Sequence, residues 1–347
     1  MISLPVTEPS QVAGVRRTAA ALARRLGFNE TTQAKVALVA TELATNLAKH
    51  ATGGQLLVKD LARDGISSIE LLALDKEPGI SDVGKCARDG YSTTSSPGTG
   101  LGAIFRTASL ADIYSLPGRG TAVLARIQAD VPRTTYHVQP RPTSAPVLSS
   151  QPSPPGALEF GAVCLPKPGE EVCGDAWIMK QQPGRCLLMV VDGLGHGPFA
   201  AEAAHEAIRI FQARSDQAPA EIVTAAHGAL RTTRGAALAV AEIDQTKLRV
   251  QFCGVGNIGG TLLTAGGSRN MVSHNGIIGY EARKIQEFTY PWSPETLLVM
   301  YSDGLVSHWS LADYRGLQAR HPSLIAGVLY RDFTRGKDDV TVVVAKQ

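Results

Sequence analysis

Apolar residues recur at helical spacing near the start of the chain, at Val12, Val15, Ala19, Leu22 and Leu26, and Gly27 ends the run. Asn29 then stands where a helix cap is needed, and Val36, Val39, Leu43 and Leu47 form a second apolar stripe. Strand-like runs follow at 55–58, 68–74 and 121–127. Further along, short β-type runs at 186–191, 248–255, 261–263, 296–301 and 340–344 enclose helical stretches at 199–213 and 219–233. Both halves of the pattern therefore mix helix and strand.

Between them the periodicity lapses. Residues 132–156 hold seven of the twenty prolines, with serine and threonine filling much of the rest. Proline removes a backbone donor and fixes φ, so this stretch is expected to be an extended linker, with an ordered wrapping arm as the other reading. The expected domains are 1–131 and 157–347. Charge follows the same division: the net +3 resolves into +2, +2 and −1 for the first domain, linker and second domain. No part has the basic stripe of a nucleic-acid binder, so that partner class is not expected. No apolar run approaches the ~18 residues of a membrane helix, and the first residues lack a leader's basic and apolar regions. Five cysteines without a CxxC pair argue against a disulfide framework or structural zinc, and suit a reducing cytoplasm.

Two groups of residues carry candidate chemistry. In the first domain, Glu42, Asn46 and His50 are spaced to share one helix face. A carboxylate and a carboxamide one turn apart suit a magnesium–phosphate site, the amide oxygen toward the metal and the carboxylate toward a nucleophile. Asp75-Lys76-Glu77-Pro78-Gly79 follows a strand, where a buried carboxylate can accept from an adenine amino group. Gly98-Thr99-Gly100-Leu101-Gly102 then opens an apolar helix, where backbone N–H groups can approach phosphates.

In order, these segments resemble the N, first-glycine and second-glycine boxes of the GHKL ATPase superfamily, in its small serine-kinase branch of RsbT/RsbW type. The resemblance covers about residues 10–128. It implies that Asn46 binds the Mg²⁺ of ATP, that Glu42 is the base for a protein serine, and that Asp75 holds adenine with support from Thr121. It also implies that Gly79 belongs to the nucleotide pocket and that Gly98, Gly100 and Gly102 form the phosphate lid. The family usually has glycine where this chain has Glu77, whose β-carbon resists some backbone torsions, which puts kinase turnover in question.

The second domain offers aspartates beside glycine or a second aspartate: Gly174-Asp175, Asp192-Gly193, Asp303-Gly304 and Asp338-Asp339. Three of these sites adjoin strand-like runs. Carboxylates gathered at strand ends repel unless cations sit between them, and hard oxygen ligands select Mg²⁺ or Mn²⁺. The set resembles the metal-dependent PPM serine/threonine phosphatases, in the SpoIIE/RsbX-like branch, over about residues 158–345. It implies that Asp192 bridges two metals, that the Gly193 carbonyl binds one of them, that Asp303 and Asp338 complete a site, and that Asp175 serves the second ion. A water acidified between such ions is the expected nucleophile toward phosphorus. His196 reads equally as the acid for the leaving serine oxygen and as a structural residue. No arginine can be assigned as a phosphate clamp, and Cys173 reads as a small packing residue.

The expected fold is α+β: a two-layer GHKL/Bergerat-type α/β sandwich followed by a four-layer α-β-β-α PPM sandwich. The expected function is a bifunctional partner-switching regulator. It would combine a metal-dependent phosphoserine/phosphothreonine phosphatase with an ATP-binding serine-kinase-like domain. The resemblance implies a STAS-domain substrate in sigma-factor or stress signalling. The alternative is a non-catalytic, ATP-dependent binding module of anti-sigma type.

Overall fold

The structure, a computed structural model, describes residues 1–63, 65–83, 100–129 and 158–347. The chain divides into two compact units, Met1–Pro152 and Ser153–Gln347.

In the first unit, β1 (Ile2–Val6) leads into α1 (Val12–Arg25) and α2 (Glu30–His50), followed by β2 (Gly54–Arg63) and β3 (Ile66–Leu74). The described chain resumes with α3 (Gly100–Thr107), β4 (Leu110–Ser115) and β5 (Thr121–Gln128). The strands form one antiparallel sheet in the order β1-β2-β3-β5-β4. The Asn29 side chain accepts the Thr32 N–H at 2.8 Å and caps α2 as its sequence position predicts. Strand alternation sends Val58, Ile69, Leu71, Ala125 and Ile127 to the helices, where they pack with Val15, Leu22, Val39 and Leu43. The opposite face carries an ionic ladder. Glu70, almost fully buried, pairs with Lys59 Nζ at 2.8 Å and with Arg126 Nη2 at 2.6 Å, its neighbours on β2 and β5.

The second unit has two sheets. The first contains β7 (Asp175–Gln182), β8 (Arg185–Gly193), β9 (Ala236–Asp244), β10 (Arg249–Val255), β13 (Ser273–His274) and β14 (Phe288–Pro291). The second runs β12 (Gly267–Asn270), β11 (Gly259–Thr264), β15 (Leu297–Tyr301), β16 (Val340–Lys346), β6 (Glu159–Leu165). Leu188, Val190, Ala241 and Phe252 of one sheet meet Leu262, Leu298, Met300 and Val343 of the other in the central core. Outside the first sheet, α4 (Pro198–Ala213) and α5 (Pro219–Ala229) bury Ala204, Phe211 and Val223 against Met189 and Val240. On the other flank, α6 (Pro322–Phe333) packs on β6 and β16, so close that a Cβ on Gly161 would lie 2.0 Å from the Ser323 nitrogen. The result is the four-layer α-β-β-α order.

Candidate functional sites

In the first unit, α2 presents Glu42 and Asn46 toward the first residue of α3. A Cβ built on Gly100 would lie 3.2 Å from Glu42 Oε2 and 3.3 Å from Asn46 Oδ1, so glycine lets the helix start come this near. A carboxylate, a carboxamide and a helix N-terminus thus converge, which suits a cation bound together with an anion. Gly102 is buried one step into α3, and Gly98 lies outside the described residues. His50 is exposed at the end of α2 and takes no part in this cluster.

Asp75 sits just beyond β3, locked to the start of β5. Its N–H donates to the Thr121 carbonyl at 2.9 Å, and the Thr121 N–H donates to Asp75 Oδ1 at 2.9 Å. The Thr121 hydroxyl lies 3.0 Å from that of Ser115, which accepts the Ile80 N–H at 2.6 Å. Gly79 turns beside them with φ +79°, where a Cβ would lie 2.4 Å from the Leu116 carbonyl oxygen. Glu77 itself is exposed, and its backbone is not in the left-handed region, so the β-carbon that sequence reasoning treated as an obstacle meets no torsional conflict.

In the second unit, β7 and β8 pair so that Asp175 and Asp192 stand directly opposite each other. Like charges in that position destabilise a ladder. Asp175 is 4% exposed; its Oδ2 accepts the Ser302 hydroxyl at 2.6 Å, while its Oδ1 is buried with no hydrogen-bond partner. Burial and the Asp192 charge hold its carboxyl well above the usual range. Burial, followed by Asp303, Asp338 and Asp339, pushes Asp192 up to about 7. Asp303 is raised by burial and Asp338, against the opposing pull of Arg335, and its Oδ2 accepts from Asn257 Nδ2 at 2.8 Å. The neighbours Asp338 and Asp339 differ sharply. Asp339 is buried, its two oxygens accepting the Lys167 and Gly174 N–H groups at 2.8 and 2.9 Å, whereas Asp338 is exposed. Gly193 abuts α4, where a Cβ would lie 2.0 Å from the Ala200 carbonyl oxygen.

Asp175, Asp192 and Asp303, each raised by burial and by a neighbouring carboxylate, and the first with an orphaned buried oxygen, form an acidic donor set. Divalent cations fit it. Among the described residues no group of three or more His, Cys, Asp or Glu side chains closes round one point as a full metal cage would.

Sequence reasoning missed the partners of this centre. His196 Nδ1 lies 2.8 Å from Glu170 Oε1, a contact that orients the ring. Arg234 stacks over the Phe199 ring at 4.8 Å, and its Nη1 comes within 3.2 Å of a Cβ built on Gly195 in the Asp192–Gly197 turn. Arg335 draws the Asp303 carboxyl down against burial and Asp338. Ser302, beside Asp303, was the one partner whose position in the sequence could have suggested it.

The family model "Histidine kinase-like ATPase domain" matches residues 6–127, and "Stage II sporulation protein E (SpoIIE)" matches residues 182–347. The chain is 32% identical to the serine/threonine-protein kinase RsbT of Bacillus subtilis (strain 168) over 114 residues, which is 33% of this chain and 86% of RsbT. It joins a histidine kinase-like ATPase domain to a SpoIIE-type phosphatase domain. The phosphoserine phosphatase RsbX of the same organism is 24% identical over 185 residues, 52% of this chain and 91% of RsbX. Among solved structures, a chain from work on the bacterial stressosome matches with TM-score 0.51 and 32% identity, covering 55% of this chain and all of that one. RsbX in complex with magnesium has the same fold, with TM-score 0.50, 23% identity, and coverage of 54% and 94%. The second domain therefore belongs to the serine/threonine phosphatases, a class that uses divalent metal. Among the described residues no helix is long and apolar enough to cross a membrane.

Proposed function

We propose that the second domain removes phosphate from a phosphoserine or phosphothreonine of a STAS-domain protein, while the first binds ATP with Mg²⁺ and phosphorylates a serine on the same or a related partner. The chain then acts in the cytoplasm as a partner-switching regulator in sigma-factor or stress signalling. The observation that carries this reading is the opposition of Asp175 and Asp192, an acidic pair that calls for cations between its members. RsbT and RsbX, as a protein kinase and a phosphoserine phosphatase, support the pairing of activities.

In this reading Asp175, Asp192, the Gly193 carbonyl, Asp303 and Asp338 hold two Mg²⁺ or Mn²⁺ ions. When bound, such ions supply Lewis-acid charge for the phosphoryl group and acidify water. His196, oriented by Glu170, gives a proton to the departing serine oxygen, and Arg234 steadies the phosphate. In the first domain Asn46 serves the nucleotide's Mg²⁺, Glu42 takes the proton of the attacking serine, and Asp75, supported by Thr121, accepts from adenine. Gly79 shapes that pocket, while Gly98, Gly100 and Gly102 form the phosphate loop.

The test is to mix the full chain with a phosphorylated STAS-domain protein and Mn²⁺, then weigh the partner by mass spectrometry. Wild type should remove the phosphate and Asp192→Ala should leave it. Phosphate that persists with both rejects the reading. The exposed carboxylate of Glu77, two residues from Asp75 where the family usually has glycine, adds negative charge near the phosphates of ATP and favours one other reading of the first domain: ATP-dependent partner binding without transfer. Full chain carrying Asp192→Asn, incubated with labelled ATP and the partner, separates the two. Label on a partner serine means a kinase, and a stable unlabelled complex means a binding module.

A further inference from the structure

The two half-buried cysteines of the second unit lie together. Cys164, on β6, and Cys173, two residues before Asp175, have their sulfurs 3.7 Å apart, and the Cys164 sulfur also lies 3.7 Å from the Asp175 carbonyl oxygen. Cys186 and Cys253, by contrast, are fully buried. We propose that Cys164 and Cys173 form a reversible intrachain disulfide that switches off the acidic centre beside them.

The oxidant class is a peroxide. A thiolate of the pair attacks one oxygen of hydrogen peroxide, the O–O bond breaks, and protonation of the departing hydroxide gives water and a sulfenic acid. The second sulfur, giving up its proton, attacks that sulfenic sulfur. The S–S bond forms as the S–OH bond breaks, releasing a second water. Two thiols are oxidised and one peroxide is reduced to two waters, and a dithiol reductant reverses the change by exchange.

Closing 3.7 Å to a bond of about 2.05 Å demands movement. β6 is held along its length by β16 and covered by α6, so Cys173 must supply most of it. The residue after Cys173 has no slack. The Gly174 N–H donates to Asp339 at 2.9 Å, its carbonyl accepts the Gly193 N–H at 3.1 Å, and a Cβ there would lie 2.7 Å from both Asp339 Oδ2 and the Ala200 methyl. Pulling Cys173 toward β6 therefore strains Gly174 and tilts Asp175 away from Asp192. The Cys164 sulfur meets Asp175 at its backbone carbonyl, so the reduced pair leaves the centre intact.

The inference rests on the reading of this centre as the metal site, and the experiment separates the two. Purified full chain is exposed to hydrogen peroxide, quenched, and followed by peptide mass spectrometry and by Mn²⁺-induced thermal stabilisation. The segment holding both cysteines should lose two hydrogen atoms, and Mn²⁺ affinity should fall by about tenfold or more, the size expected when support around a metal site is disturbed. Dithiothreitol should restore both. Cys173→Ser or Cys164→Ser, whichever folds, should bind Mn²⁺ like the reduced wild type and resist peroxide. Failure of the 164–173 bond to form, or its formation with Mn²⁺ affinity unchanged, overturns the proposal. A reduced chain that never binds Mn²⁺ overturns the metal reading and the switch with it, while the mass measurement still decides the disulfide.

Discussion

Asp175 and Asp192 face each other across the β7–β8 ladder, and Asp175 keeps one oxygen buried without a partner. In an ion-free chain this pair opposes folding, so Asp192→Asn is expected to raise the melting temperature of the second domain in EDTA. At about 2–4 °C per kcal/mol for a domain of this size, a gain of several degrees is readable. The same variant should lose the stabilisation that Mn²⁺ gives wild type. A variant that melts lower in EDTA would show that the carboxylate serves the fold.

The acidity of the centre also sets a pH dependence. Burial and the surrounding aspartates push Asp192 up to about 7, above its ordinary unfolded value. The folded chain then binds this proton more tightly than the unfolded chain, so this contribution to stability falls as pH rises through the interval up to 7. In EDTA, the second-domain transition should move to higher temperature as pH drops from about 7.5 to about 5.5, and Asp192→Asn should flatten that slope. With saturating Mn²⁺ the trend should reverse, because the ions require the deprotonated carboxylates.

Arg234 stacks on Phe199 beside the Asp192–Gly197 turn, and in the proposed reading it steadies the phosphate. Arg234→Ala should raise KM for a phosphopeptide by about tenfold, the 1.4 kcal/mol of one charge-assisted contact, with a smaller change in kcat. Loss confined to kcat would move the residue from substrate binding to the chemical step.

In the first domain, Asn46→Ala should abolish Mg²⁺-dependent ATP binding in calorimetry. Glu42→Gln should bind ATP within a few-fold of wild type yet transfer no phosphate, because the amide cannot accept the serine proton. Equal loss of binding in both variants would mean that Glu42 holds the nucleotide's cation and does not act as a base.

Glu70 joins Lys59 and Arg126 on the sheet face away from the helices. Glu70→Ala leaves two cations crowded without their anion. It should cost about 2 kcal/mol in urea unfolding of the first domain, below the roughly 3–5 of a fully buried pair because both cations retain some water contact.

The sequence was most legible where one face of an element is wet. α1 and α2 fall where periodicity places them, since each alternates with a polar side or has a clear cap, whereas β8, buried on both faces, shows as an unbroken apolar run. α6 escaped because nearly every residue from Pro322 to Leu329 is buried, which erases the helical period. β9 escaped because Ala-Ala-Leu-Ala-Val-Ala has the composition of a helix, and its strand state comes from β8 and β10 on either side. The aspartates were visible as strand-end motifs, whereas the burial of Asp339 and exposure of Asp338 were not. Glu170, Arg234 and the Cys164–Cys173 contact were not visible, because each depends on chain approaches that no local spacing encodes.

The order of β12-β11-β15-β16-β6 has a consequence for synthesis. β6, the first described strand of the second unit, pairs with β16, made about 180 residues later, so it waits without its neighbour while everything between is translated. Asp338 and Asp339 emerge immediately before β16. The first unit has its described strands long before that point and can fold while the ribosome is still at work. If both activities operate, a newly made chain can bind nucleotide before it can remove phosphate, so the kinase-like half has a head start in every molecule's life.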